Sequence, residues 1–267
     1  MEQLPVLDVA ALHGEAQLRR AMMLSYFGHG YVRGGKRAVD HLLSSVVVPW
    51  HAVAHQLDRP PVLSFASYAL DNWRRLDPNE PIPLGNILLL QNFLACLDEE
   101  WFILIHVDIE AKAAPAVRAI GSAQRAVSED RPDELEHQLG LIAAAVQDIQ
   151  FALLRMPEQC ELYVYYNRVR RYIHCWKDQP ALPHGVVYQG GTAYKGPPQQ
   201  FRGEPGVQSS LIPCLIAALS VGHRDDPVQP DQSRYGRERN ICASIVSLSA
   251  KPSVALALEP LVSERVK

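Results

Sequence analysis

Leu135, Leu139, Ile142, Val146, Ile149 and Leu153 recur every three or four residues across residues 133–156, a spacing that gathers them on one face of a helix and scatters them on a strand. The same step returns in Leu18, Ala21, Met22, Tyr26 and His29, ahead of Gly34-Gly35. It returns again over residues 39–57, interrupted at Pro49 and stopped by Arg59-Pro60-Pro61. Further helices are predicted over residues 64–76, around 87–94, over 99–127 with a kink at Pro115, and over 208–221. Two weaker ones, 241–248 and 254–259, follow near the end. Residues 101–109 are apolar on every side and so predict a buried stretch. Strand alternation is nearly missing, and the chain reads as all-α. Residues 178–206, rich in Pro and Gly, form a long irregular connection, which in a compact domain is functional or loosely structured.

Composition narrows the partners. With 48% hydrophobic residues over 267 positions, the chain can bury a large core. Its 26 Lys and Arg against 29 Asp and Glu leave no electrostatic footprint for nucleic acid or an anionic membrane. Cys96, Cys160, Cys175, Cys214 and Cys242 are widely spaced and form no CxxC pair, the pattern of buried thiols in a reducing compartment. The first residues carry neither a basic region nor a long apolar one, so no export signal is read. The most apolar runs, near 87–96 and 211–221, are too short for a bilayer. A soluble, cytoplasmic protein is expected. The motifs GxSxG, GxGxxG, the phosphate loop and HExxH are all lacking, which removes several common enzyme classes.

Aromatics and arginines crowd into residues 165–177. On a helical wheel Leu162, Tyr165, Tyr166, Val169, Ile173 and Trp176 share one apolar arc, with Arg170 at its edge and Arg168 and Arg171 turned away. A guanidinium beside an aromatic wall is a two-pronged clamp for a carboxylate, and the alternative is an arginine that snorkels to water. His51 and His55 stand one helical turn apart without an evident third ligand, so packing residues are favoured over a metal pair. His106 lies inside the buried stretch, where a satisfied core histidine is the first reading and a functional one the second.

Six co-linear blocks then carry a resemblance. They are Leu18–Met22 (LRRAM), 59–73 (RPPVLSFASYALDNW), 85–87 (GNI), 100–111 (EWFILIHVDIEA), 166–177 (YNRVRRYIHCWK) and 201–210 (FRGEPGVQSS). In this order and register the chain resembles the indoleamine 2,3-dioxygenase family, its bacterial branch more than the animal enzymes. The resemblance implies an all-α fold with a small N-terminal helical domain, residues 1–97, packed on a larger helical domain, 98–267, that holds haem b. It implies oxidative opening of the indole 2,3 bond of tryptophan or a related indole by O₂, giving N-formylkynurenine. Arg170 matches the arginine that binds the substrate carboxylate, Tyr165 and Tyr166 the aromatic pair of the pocket, and Phe65 the aromatic above the indole. Trp101 and Leu104 match the distal wall. Gly203, Pro205 and Gly206 correspond to the loop over the haem edge, which Pro205 and Val207 are expected to stiffen.

One departure from the family stands out. The family's proximal haem ligand is a histidine on a late helix, and here no histidine follows His223. No residue of this chain inherits that role, and the chain is expected to be cut short relative to the family. The metal ligand is therefore unassigned at this point. The alternative to a dioxygenase-like haem protein is a haem-deficient family member that binds an indole or nothing.

Overall fold

The computed structural model describes residues 5–190, 196–202 and 209–219. Two compact units divide it: Met1–Asp108 with Leu154–Gln208, and Ile109–Leu153 with Ser209–Lys267. Helices dominate both, so the all-α class holds.

The first unit opens with α1 (Glu15–Ala21) and α2 (Leu24–Arg33). The periodicity through Leu18–His29 predicted one helix. It breaks at Met22-Met23, where the amides of both residues bond three residues back, to Arg19 and Arg20, and the tightened turn sinks the Met22 side chain completely. Gly34 caps α2 with its amide on the Gly30 carbonyl at 2.7 Å. After a two-residue strand, β1 (His41–Leu42), comes α3 (Ser44–Gln56), which runs through Pro49 without ending and buries Val46, Val47, Trp50 and Val53. Asp58, at φ 54°, turns the chain out of α3 while the Arg59 amide bonds the Ala54 carbonyl at 2.8 Å.

Residues 64–76 and 87–94 correct the sequence reading. The first becomes a π-helical turn, Ala66–Leu70, followed by β2 (Trp73–Arg75). The second becomes β3 (Ile87–Leu89), antiparallel to β2. A short aliphatic run is compatible with either helix or strand, and its neighbours decide. Here Asn86 decides at one end, giving its amide to the Asp77 and Pro81 carbonyls and accepting from the Asp77 amide. Asn72 decides at the other, its Oδ1 accepting from the Gln91 amide at 2.9 Å and its Nδ2 donating to the Gln91 carbonyl at 2.7 Å.

α4 (Leu97–Ser128) begins in the first unit and passes into the second after Asp108. Leu97, where the small domain was expected to give way to the large one, is its first residue. α5 (Pro132–Leu154) follows a turn at Asp130, φ 52°. Both helices answer to their predicted spans. The chain then returns to the first unit through α6 (Leu162–Val164), a second π-helical turn (Tyr165–Val169) and α7 (Arg170–Ile173). Within 178–206 a last strand, β4 (Val187–Tyr188), pairs in parallel with β1. Trp50 and Trp176, both fully buried, centre this unit's core; the Trp176 Nε1 donates to the Tyr188 hydroxyl at 2.8 Å, and that hydroxyl donates to the Pro61 carbonyl at 2.7 Å.

The second unit packs Ala113, Ala116 and Ile120 of α4 with Ile142 and Ala145 of α5 and with α8 (Leu211–Ala218). Small residues on α4 let the helices approach closely. Of the predicted α5 stripe, Ile142 is buried and Leu139 and Ile149 are partly buried, while Val146 and Leu153 remain exposed. By length and hydropathy the span Pro132–Glu158 also passes as a membrane-crossing helix, which the sequence reading did not notice. The helices predicted at 241–248 and 254–259 lie outside the described residues.

Candidate functional site

The two π-helical turns carry the aromatic residues that the sequence singled out. Phe65 immediately precedes the first turn, and Tyr165 and Tyr166 begin the second. In each turn an amide reaches five residues back: Asp71 to Ala66, Arg170 to Tyr165. Such widened turns concentrate at functional sites because they re-aim side chains that a regular helix would stagger.

Between these turns stands one face of α4. Phe102 and His106, one turn apart, complete a series of rings: Tyr165 stacks on Phe102 at 3.9 Å, Phe102 meets His106 at 4.4 Å, and His106 meets Phe65 edge-on at 6.2 Å. Phe65 is 4% exposed and Tyr165 9%. A second series adjoins it, with Tyr26 stacked on Phe93 at 4.5 Å and Phe93 on Tyr172 at 5.1 Å, and with Tyr68 6.2 Å from Tyr26. Together they make an aromatic wall suited to a flat ring.

Polar groups inside the wall are few and mostly satisfied. The Tyr26 hydroxyl accepts from Asn72 Nδ2 at 2.7 Å and donates to the Tyr68 carbonyl at 3.3 Å. The fully buried Glu99 carboxylate accepts from the Phe93 amide at 2.9 Å and the Leu94 amide at 2.9 Å, while burial raises its pKa against those bonds. Two hydroxyls are different. The oxygens of Tyr68 and Tyr165 are buried, with only a loose hydrogen bond to each other. Burial above all, and the Glu99 charge in smaller part, raise the pKa of both, while the two phenols also act on each other. Both stay protonated at any ordinary pH.

Arg170 is half-buried. Its guanidinium lies over the Tyr166 ring, 5.2 Å from the centroid, and its charge acts on Tyr165 to favour ionisation. The wheel grouped Tyr166 with the apolar arc, but Tyr166 is 59% exposed, because the π turn takes more residues per turn than the wheel assumed. Leu162 is exposed for the same stretch, whereas Tyr165, Val169, Ile173 and Trp176 are buried as the arc predicted. Arg171 serves the fold, donating to the Arg33 carbonyl at 2.9 Å at the end of α2. Trp101 and Leu104 sit on other faces of α4. Trp101 Nε1 donates to the Arg155 carbonyl at 2.9 Å, under the Arg155 guanidinium, and Leu104 packs with Ile87 and Val107. The structure thus brings Phe65, Tyr165, Tyr166 and Arg170 to one neighbourhood and gives Trp101 and Leu104 different neighbours. Gly203, Pro205 and Gly206 lie outside the described residues.

Sequence reasoning passed over Tyr68, and it placed Phe102 on the His106 face, inside the segment 101–104 matched to the distal wall, without naming it as a site residue. The Phe102–His106 spacing gave that shared face, since residues four apart lie on one side of a helix. Tyr68 had no such signal, for its burial depends on the π turn.

The haem implied by the resemblance needs an axial donor, a neutral imidazole or a thiolate. His29 is fully buried and has none to give: its Nε2 accepts from the Leu63 amide at 3.1 Å, so Nδ1 bears the proton and donates to the Tyr172 carbonyl at 2.8 Å. His106 donates Nδ1 to the Phe102 carbonyl at 2.7 Å and stands within the aromatic wall, where an iron would take the ring ligand's place. The Cys160 thiol is pushed up to about 11 by burial, away from the thiolate form, and Cys175 donates to the Leu63 carbonyl. His51 and His55 lie 6.4 Å apart, and among the described residues no three metal-ligating side chains gather. None of these donors is poised to ligate haem iron.

Comparison with known proteins adds the wider frame. Residues 1–245 match the family described as indoleamine 2,3-dioxygenase. The chain is 31% identical to indoleamine 2,3-dioxygenase 1 of Rattus norvegicus over 226 residues, 84% of this chain and 55% of that protein. It is 29% identical to the indoleamine 2,3-dioxygenase of Saccharomyces cerevisiae over 236 residues, 85% of this chain and 51% of that protein. Against indoleamine 2,3-dioxygenase acdA of Aspergillus candidus the figure is 29% over 250 residues, 89% of this chain and 61% of that protein. The chain spans about half the length of the first of these relatives, 55%.

Proposed function

The chain belongs to the indoleamine 2,3-dioxygenase family, and from that premise we propose that it acts on tryptophan or a related indole with O₂, opening the 2,3 bond of the ring to N-formylkynurenine. The observation that carries the binding half of this reading is the half-buried Arg170 guanidinium, beside Tyr165 and Tyr166 at the edge of an aromatic wall. Phe65, Phe102 and Tyr165 offer the indole flat apolar faces that keep water from it, and Arg170 offers the amino-acid end a bidentate partner in a site of low polarity. Ring and carboxylate held together fix the position of the reacting double bond, which is the protein's share of catalysis when a cofactor does the redox chemistry. Haem b is the cofactor this reading implies. None of the described residues is assigned to its iron, so their chemistry stops at binding, orientation and exclusion of water.

The fully bonded His29 and the His106 ring held within the aromatic wall favour a second reading, an indole-binding member of the family without turnover. One experiment separates the two. The purified full chain, incubated with haemin, reductant and L-tryptophan under air, forms N-formylkynurenine and shows a CO-sensitive Soret band on the first reading; retained tryptophan binding with neither signal establishes the second. For the clamp, Arg170→Ala weakens binding of a carboxylate-bearing indole by roughly 10- to 100-fold, the worth of a charged hydrogen bond. Arg168→Ala leaves it within about twofold, since that side chain is exposed. Calorimetric titration of the two variants measures the difference, and equal losses remove the clamp.

A further inference from the structure

Arg33, the last residue of α2, is only 8% exposed, and its Nε has no hydrogen-bond partner. One terminal nitrogen donates to the Cys175 carbonyl at 3.1 Å and, at 3.4 Å, to the His174 carbonyl, just past the end of α7. The guanidinium carbon stands 5.9 Å from the centroid of the Trp176 ring. Arg171 does the reverse for α2, donating to the Arg33 carbonyl at 2.9 Å and the Gly35 carbonyl at 3.3 Å. Two guanidinium groups thus meet where α2 and α7 end. Burial above all lowers the pKa of Arg33; of the charges acting on it, the Cys175 thiol raises it and Arg171 lowers it. No carboxylate is among them.

The loop that follows adds to the imbalance. Gly34, Gly35, Lys36 and Arg37 are exposed, and the Val39 amide closes the loop on the Val32 carbonyl at 2.9 Å. The amides of Gly35, Lys36, Arg37 and Ala38 donate to no described residue. Asp40, close by in the chain, has its carboxylate against His41 at 3.3 Å. Among the described residues no carboxylate pairs with Arg33, Lys36, Arg37 or Arg171. An arginine keeps its proton in a protein, and a buried charge needs a partner. The carbonyls of a helix end carry about half an elementary charge, and α7 has only four residues. Two helix ends therefore offset about one of the four positive charges.

We propose that this corner of the first unit binds a phosphate group, with Arg33 and Arg171 as its guanidinium partners and the Gly35–Ala38 loop supplying amides and the Lys36 and Arg37 charges. A phosphate dianion brings the missing counter-charge, and its tetrahedral oxygens accept from a guanidinium fork and from backbone amides together. Arg171 and the loop are exposed, so a small ligand reaches them from solvent. That ligand is inorganic phosphate or the phosphate ester of a small metabolite. The site does not rest on the indole reading. Its occupancy ties together the two helices that carry Tyr26 and Tyr172 of the aromatic wall.

The test titrates the full chain with inorganic phosphate and with glycerol 3-phosphate, by calorimetry and by thermal unfolding, with sodium chloride holding the ionic strength constant. At least one probe binds the native chain saturably with Kd at or below about 1 mM. At a hundredfold excess over Kd it raises the unfolding midpoint by about 5 °C. Tighter binding of the ester assigns the site to a metabolite, and equal binding assigns it to free phosphate. Arg171→Gln weakens binding at least about tenfold, the worth of a charged hydrogen bond. Because that change also removes two bonds to the backbone, the paired change Lys36→Gln and Arg37→Gln, on the exposed loop, provides a second variant with the same expected loss. Arg118→Gln, on an exposed face of α4, stays within about twofold of the native chain. Absence of saturable binding by the native chain overturns the inference, as does equal binding by the native chain and the loop variant. A midpoint that climbs linearly with phosphate, and equally in every variant, is general salt exclusion and overturns it too.

Discussion

His29 illustrates how much one buried side chain can tie together. Its ring contacts Trp176 at 4.3 Å, its two nitrogens reach the 60s loop and α7, and desolvation holds its pKa at about 3. The folded value lies below the ordinary 6.5. Stability from this neutral imidazole is therefore complete above about pH 6.5 and lost as pH falls toward 3, at about 1.4 kcal/mol per unit. Urea unfolding of the native chain and of His29→Gln at pH 7 and pH 5 measures it: the native chain's advantage over the variant shrinks by about 2 kcal/mol between the two. An unchanged advantage contradicts a buried neutral ring. The sequence listed His29 on the apolar face of its helix, which was correct, yet the tautomer and the depressed pKa follow from partners far along the chain.

α2 and α3 meet where Gly28 has no side chain. A Cβ there comes 2.5 Å from the Trp50 ring, whereas one at Gly30, in the same helix, meets nothing within 4 Å. Gly28→Ala is expected to destabilise by roughly 1–3 kcal/mol through overpacking. Gly30→Ala is expected to be neutral or stabilising by up to about 1 kcal/mol, since alanine is the better helix former. Denaturant midpoints of the two variants check the contrast, and equal effects mean that the helices can slide apart freely. Elements differed in how far they could be foreseen. α4 and α5 answered to their periodicity because many turns repeat one signal. Residues 64–76 and 87–94 did not, because a few aliphatic side chains suit helix and strand alike until Asn72 and Asn86 bond the backbone around them. The two π turns left no mark in residue spacing at all.

For the molecule as a whole, chain order and packing order differ. The first unit is assembled from both sides of the α4–α5 hairpin, so its aromatic wall unites residues from five separate stretches: Tyr26, 65–68, Phe93, 102–106 and 165–172. The second unit is narrower in composition, built on the small residues of α4 against Ile142 and α8. Of the candidate site, the Arg170 edge and the buried Tyr165 were readable from one helical wheel, and Phe65 came from the family resemblance. The Phe102–His106 face was read from the spacing, but its place in the aromatic wall was not. That Trp101 and Leu104 face other neighbours could not be read, since a helix that is apolar on every side does not say which side meets which partner.

Helical class, the extents of the long helices and the arginine at the edge of an aromatic arc were all present in the linear chain, for each depends on side chains a few residues apart. Which rings touch, which histidine nitrogens are engaged and which two buried hydroxyls face each other were settled by folding. A hydrogen bond made or missing depends on what lies within a few ångströms, and here those neighbours come from segments that local spacing cannot bring together.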